Sequence, residues 1–352
     1  MDEAAGFCLR KQDVISCMFS SWYRKLKHLT MESVIIPLPP EFIHYLNSDG
    51  IVLPSGHFET KGKREETEDD SWDSSSDGET THNTVWEQPQ FAALHKKIQQ
   101  TIDYLGGIVF PKLNWSSPLD AKWISSNGTL QCCRPSDIYL LLKSSNRVAH
   151  DLSKAFRSCT DYDQCDEPPG GFQLVLRQWV DIIPGMEFRC FVKDSMLIAV
   201  CQRDYTTFYN HLVLHQDELM IEIEEYYRRH ILSKFSLRHY VFDIYRNYRN
   251  SYMLIDFNPF SSITEPLLFT WEELTDILTP ESTDPQHPMF RFLTSDAGIQ
   301  PNKDAYSRLP IDVVDLSTGE DIAKFIDLFK KETWQQDDNS DDEASEQAAT
   351  LQ

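Results

Sequence analysis

The sequence predicts an α+β fold, on three observations. Apolar residues at helical spacing alternate with short paired apolar runs that read as hairpins. No strand–helix–strand rhythm carries a Gly-rich turn, and neither a Walker A motif nor an internal repeat occurs. The 352 residues, 41% of them hydrophobic, suffice for one large globular unit or two subdomains with a sizeable core.

In chain order, residues 8–29 carry an amphipathic helical pattern, and 33–38 read as a strand broken by prolines. Residues 59–88 are rich in acids and serines, with almost nothing to bury. Such a segment cannot offset its ordering entropy and is expected to be a disordered insertion. Residues 335–352 form an acidic tail of the same kind. Phe91, Leu94, Ile98, Ile102 and Leu105 follow helical spacing, and Gly106-Gly107 can supply a left-handed cap. Residues 108–112 read as a strand running into a loop, and 138–142 and 174–179 are further short apolar runs. Two runs, 188–192 and 197–201, flank Lys193-Asp194-Ser195 like the arms of a hairpin. Met220, Ile223, Tyr227 and Ile231 mark another helix. Thr270 with Glu273, and Ser317 with Glu320 ahead of 322–329, fit capping boxes.

The formal net charge of −22 argues against nucleic acid or an anionic membrane as partner, since both need a basic surface. A basic partner protein fits better; alternatively the excess acid lies in the disordered segments and says little about the folded part. Residues 1–13 lack an apolar signal-peptide core, and no apolar run is long enough to span a bilayer. The eight cysteines include the vicinal pair Cys132-Cys133 but no C-x-x-C, so reduced thiols in the cytosol are expected rather than a zinc or disulfide framework.

The most informative segment is 240–260, YVFDIYRNYRNSYMLIDFNPF, where two apolar runs flank a turn-rich stretch. If Tyr245 pairs with Leu254, Asp243 lies opposite Asp256, and Asn258 shares the face of Asp256. Opposed like charges destabilise a hairpin. At ~4 Å the repulsion is about 1 kcal/mol in water and about 4 at an effective dielectric of 20. A divalent cation removes the conflict, and two carboxylates with an amide oxygen form a hard, all-oxygen half-shell suited to Mg²⁺. The alternative is an acidic pair on a wet sheet edge.

Lys112 ends a strand and opens a polar loop beginning at Asn114, where an ammonium could meet phosphate oxygens; a solvated surface lysine is the plainer reading. Arg177, Gln178, Trp179 and Val180 could present groups to an adenine edge, and Asp181 could accept from ribose hydroxyls. Arg189 alternates with apolar residues and could either point at phosphate or pair with an acid.

FPKLNWSSPLDAKWI at 110–124, LVLRQW at 174–179, PGMEFRCFVK at 184–193, QRDYT at 202–206, VFDIYR at 241–246, LIDFNPF at 254–260 and LLFTWEEL at 267–274 closely resemble the cell division cycle protein 123 family. The resemblance implies an ATP-grasp-like fold of two subdomains enclosing a nucleotide cleft. It divides the chain into an N-terminal part of the fold (1–58), the insertion (59–88), a nucleotide-side subdomain (89–180), a metal-side subdomain (181–334) and the tail (335–352). Lys112 would take the place of the phosphate lysine, Arg177–Asp181 that of the adenine and ribose hinge, and Asp243, Asp256 and Asn258 those of the Mg²⁺ ligands. The implied function is a cytoplasmic, monomeric assembly chaperone that uses ATP and binds the gamma subunit of eukaryotic translation initiation factor 2. The alternative is a true ATP-grasp ligase activating a carboxylate. The loop after Lys112 lacks the glycines with which such ligases fold over phosphates, and Asp256 stands where they usually carry Glu; both favour binding over turnover.

Overall fold

The computed structural model describes residues 8–48, 50, 91–163, 167–277 and 288–295. The insertion 59–88, the tail 335–352 and the capping box at Ser317 with its helix lie outside them. All described residues fall within one compact unit, Met1–Asn302. The chain runs α1 (Lys11–Ser16), α2 (Phe19–Leu26), β1 (Ser33–Pro37), α3 (Pro40–Asn47), α4 (Ala92–Tyr104) and β2 (Val109–Lys112). It continues through α5 (Pro135–Lys143), α6 (Asn146–Ser153), β3 (Gln173–Gln178), β4 (Glu187–Lys193) and β5 (Met196–Gln202). Then follow α7 (Asn210–Leu214), α8 (Gln216–Tyr226), β6 (Tyr240–Arg246), β7 (Tyr252–Pro259), α9 (Trp271–Asp276) and β8 (Met289–Arg291). The strands form a small antiparallel sheet, β1-β3-β2, and a five-stranded sheet, β7-β6-β4-β5-β8, in which only β8 runs parallel to its neighbour. The fold is α+β, as the alternation of patterns predicts.

Side-chain alternation gives each sheet two distinct faces. On the small sheet, Ile36, Val109, Leu174 and Leu176 pack with Phe42, Ile98, Ile102 and Tyr139 from α3, α4 and α5. The other face carries Lys112, Val175 and Arg177. On the large sheet, Phe188, Cys190, Phe242 and Phe257 bury against Phe19 and Trp22 of α2 and Leu219 and Ile223 of α8, and Val175 joins them. The opposite face packs Phe191, Cys201 and Val241 on Phe269 and Leu274. The two sheets therefore share one apolar core through Val175.

Local chemistry accounts for the element ends. α4 stops where Gly106 and Gly107 take φ of 94° and 89°, and the Gly107 amide donates back to the Ile102 carbonyl at 2.8 Å. Asp194 and Ser195 also sit at positive φ and close the β4–β5 hairpin. Thr270 and Glu273 form a reciprocal capping box on α9. The amphipathic pattern of 8–29 is not one helix: α1 ends at Ser16 and α2 begins at Phe19, whose amide donates to the Asn114 carbonyl at 2.9 Å. A distant loop thus satisfies an N-terminal helix donor and breaks the run. The apolar stretch 138–142 proves to be the buried stripe of α5. The seven described cysteines are free. Among the described residues no helix is long and apolar enough to cross a membrane.

Candidate functional site

The β6–β7 hairpin places Asp243 opposite Asp256. The route differs from the expected register. Tyr245 faces Met253 rather than Leu254, which faces Ile244, and a bulge between Asp243 and Ile244 takes up the extra residue. Asn258 lies opposite Val241, on the face of Asp256. Because Arg189 pairs with Asp243 and with Cys201 in register, one row crosses four strands: Cys201, Arg189, Asp243, Asp256.

The row explains how two opposed aspartates coexist before any cation is added. Arg189 grips Asp243 in a fork, Nε to Oδ1 and Nη2 to Oδ2, both at 2.8 Å, and gives Nη1 to the Glu265 carbonyl at 2.6 Å. Arg203 Nε lies 3.4 Å from Asp243 Oδ2. Burial works to raise the Asp243 pKa, but Arg189 and then Arg203 outweigh it and hold the carboxyl below its usual range. For Arg189 burial works against the charge, and Asp243 outweighs it to raise the pKa. Of the two sequence readings for Arg189, phosphate or acid, the geometry gives it to the acid. Both Asp243 oxygens are thereby engaged.

Asp256 is met from the other sheet. Lys112 Nζ forms an ion pair with Asp256 Oδ2, joining β2 to β7. The lysine is 1% exposed, so the solvated reading does not hold. Burial lowers its pKa, Asp256 opposes that, and nearby Arg177 adds to it. Arg177 is buried as well, with burial lowering its pKa to about 10. It donates Nη2 to Thr30 Oγ1 at 2.8 Å, while its buried Nε has no hydrogen-bond partner. The Phe19 ring underlies both cations, 5.4 Å from Lys112 Nζ and 5.1 Å from the Arg177 guanidinium carbon.

The remaining candidates have structural partners. Asn114 is buried and clamps the approach to β3, donating to the Gly171 carbonyl at 3.1 Å and accepting from the Gln173 amide at 2.7 Å. The Gln178 and Trp179 amides donate to the carbonyls of Glu32 and Ile108. Trp179 packs on the small-sheet core and donates Nε1 to exposed Asp181 at 2.8 Å; Val180 between them is half-buried. Among the described residues no three His, Cys, Asp or Glu side chains cluster to hold a metal. Asp256 is the more accessible of the two aspartates, its side chain 19% exposed, with Oδ2 held by Lys112 and Oδ1 accepting from the Phe257 amide at 3.1 Å, and Asn258 beside it is half-buried. The unsatisfied Arg177 Nε beside Lys112 suits an anion. This donor set fits a metal that brings its own anionic ligand.

Sequence reasoning missed Thr30, which links Arg177 to the Leu254 carbonyl at 2.6 Å, and Asp151, which accepts from the Ser116 amide and hydroxyl at 2.7 and 2.8 Å. Neither stands out from its neighbours in the sequence. Buried Asp151 has its pKa pushed up to about 6 by desolvation, partly offset by the Ser116 bonds.

A family model described as D123 matches residues 22–317. A protein named translation initiation factor eIF2 assembly protein in Xenopus laevis is 43% identical, over 95% of this chain and 100% of the relative. Its namesake in Danio rerio is 41% identical, over 94% and 97%. The solved structure of Cdc123 from Schizosaccharomyces pombe is 35% identical with a TM-score of 0.65, over 81% of this chain and 98% of that one. A RimK domain protein ATP-grasp structure from Sphaerobacter thermophilus aligns at 10% identity and a TM-score of 0.32, over 70% of this chain and 60% of that one.

Proposed function

This chain belongs to the D123 family, and we propose that it is an assembly protein for eukaryotic translation initiation factor 2 that binds the gamma subunit and holds Mg²⁺ with ATP where its two sheets meet. The observation that carries the nucleotide reading is the Lys112–Asp256 pair, a buried ammonium on one sheet facing a partly open carboxylate on the other. Relatives named for eIF2 assembly support the partner.

Lys112 and Arg177 would receive phosphate oxygens, with the unpaired Arg177 Nε gaining an acceptor. Asp256 and Asn258 would hold the metal, and Asp243, clamped by Arg189, would stand behind them as fixed negative charge. The bound metal would supply positive charge shared between carboxylate and phosphate. In the free protein Lys112 and Asp256 neutralise each other; on binding, each would exchange that partner for one of opposite sign from the ligand. The two sheets would then be joined through the ligand as well as through the core. A gamma subunit that recognises the joined arrangement must raise ATP affinity by the factor by which ATP raises its own, as linkage requires.

Isothermal titration with ATP, with and without Mg²⁺, tests the site. Asp256→Asn is expected to weaken Mg²⁺-dependent binding at least tenfold, and an unchanged affinity would overturn the assignment. Capture of purified gamma subunit should rise with ATP and equally with a non-hydrolysable analogue. Equal capture without nucleotide would reject control by ATP.

A further inference from the structure

Although the formal net charge is −22, one described surface gathers basic side chains. α2 ends in Arg24 and Lys25, and the 3₁₀ turn after it adds Lys27 and His28. Far along the chain, the π-turn Tyr227–Ile231 carries Arg228, Arg229 and His230, with Lys234 close behind. The two segments meet in space. His230 is pushed below its usual pKa by burial and then by Lys234, His28 and Arg229. Lys25 and Lys234 line the same notch, together with Ser16, Ser21, Trp22 and Ser236.

The charges there are not equivalent. Arg228 and Arg229 are engaged by Glu224 and Glu225 one turn back. Lys25 and Lys234 are exposed and have no ion-pair partner among the described residues. Exposed lysines alone are ordinary. The second observation is Trp22: its side chain is 2% exposed, and its Nε1 donor has no hydrogen-bond acceptor. A buried donor left unpaired costs stability. Ser21 donates its hydroxyl to the Ile15 carbonyl at 2.6 Å, and no group of the notch accepts from the indole. Its volume is about 10 Å³, room for about one oxygen-sized group. Two free ammonium groups and an orphan N–H around such a space ask for an anionic oxygen.

We propose that this notch is the docking point for an acidic peptide segment of a partner protein, with one carboxylate entering between Lys25 and Lys234 and accepting from Trp22 Nε1. Charge extent selects a short acidic peptide over nucleic acid. Phosphate backbones recur every few ångströms and need a long basic track, whereas this zone is bounded by Glu224 and Glu225 on α8. At physiological salt the Debye length of about 8 Å screens the acids elsewhere on the chain, so the local positive field survives over a few residues. The acidic composition of the whole chain thus conceals a site of opposite sign.

The test is fluorescence anisotropy of a fluorescein-labelled octa-glutamate peptide titrated with the full chain at about 0.1 M salt. The Lys25→Glu/Lys234→Glu double variant should bind at least tenfold more weakly with an unaltered thermal melt, because both side chains are exposed. Trp22→Phe, which keeps most of the ring volume and removes the donor, should bind several-fold more weakly. Equal affinity of the wild type and the double variant would overturn the proposal. So would tighter binding of labelled octa-uridylate through the same lysines. ATP titration of the double variant should match the wild type, which keeps this test separate from that of the nucleotide site.

Discussion

Asp243→Ala should cost the protein about 3–5 kcal/mol, because it strands a buried arginine. Arg189 holds Asp243 with two bonds at 2.8 Å, and without the carboxylate only the Glu265 carbonyl remains to it. Two unit charges ~4 Å apart at an effective dielectric of 20 interact by about 4 kcal/mol, which agrees with the cost of breaking a buried pair from one side. Arg189→Met should cost as much from the other side, since Asp243 would keep only Arg203 at 3.4 Å. Arg189→Met/Asp243→Leu removes both charges and should lose much less than the two singles together, ending near neutral. Urea denaturation reads this directly: with an m-value of about 3 kcal/mol/M, each single variant shifts the midpoint down by about 1–1.7 M. Strictly additive singles, or singles costing under ~1 kcal/mol, would refute the idea that the pair neutralises the row. The result also governs how the nucleotide site is probed. Loss of ATP binding in Asp243→Ala would mix loss of the charge behind the metal with unfolding, whereas Asp256→Asn leaves an oxygen for Lys112.

Two further outcomes follow from buried geometry. The folded pKa of Asp151, about 6, exceeds its usual 3.8; its contribution is therefore complete below about pH 4 and lost as pH rises through 6. The gap of about two units corresponds to about 3 kcal/mol. Urea midpoints of Asp151→Asn at pH 4, 5 and 6.5 should fall less with rising pH than those of the wild type, and parallel curves would show that Asp151 is not desolvated. Gly185→Ala would put its Cβ 2.6 Å from the Tyr209 ring, whose hydroxyl is tied to Asp204 at 2.6 Å. A loss of about 1–3 kcal/mol is expected, and an unchanged urea midpoint would mean the ring can swing aside.

The hairpin aspartates were legible because strand pairing is arithmetic: two apolar runs around a turn fix which residues face each other to within one step. The bulge beside Asp243 is that step, and nothing in YVFDIYR marks it. Helix ends were legible where glycines or a capping box set them, as at Gly106-Gly107 and Thr270. The break between α1 and α2 was not, because its cause is a carbonyl of Asn114 far along the chain. The same holds for the charges. Lys112 and Arg189 could be named as candidates from their strands, but burial and counter-ions come from sheet pairing and from contact between the sheets. A pair such as Arg189–Asp243, 54 residues apart, leaves no local trace.

The position of α2 has a consequence for how the chain is made. Trp22 packs edge-on against Phe257 with centroids 5.3 Å apart, and Thr30 donates to the Leu254 carbonyl 224 residues later. At synthesis rates of ~5–20 residues per second, 224 residues take about 11–45 s to emerge. Throughout that interval Phe19, Trp22 and Leu26, all buried in the finished core, have no completed sheet to lie on. Helix α2 leaves the ribosome as exposed apolar surface and is among the last elements to be covered. During its own birth this chain is a natural client for cellular holdases, and slowing elongation ahead of β7 should lengthen that dependence.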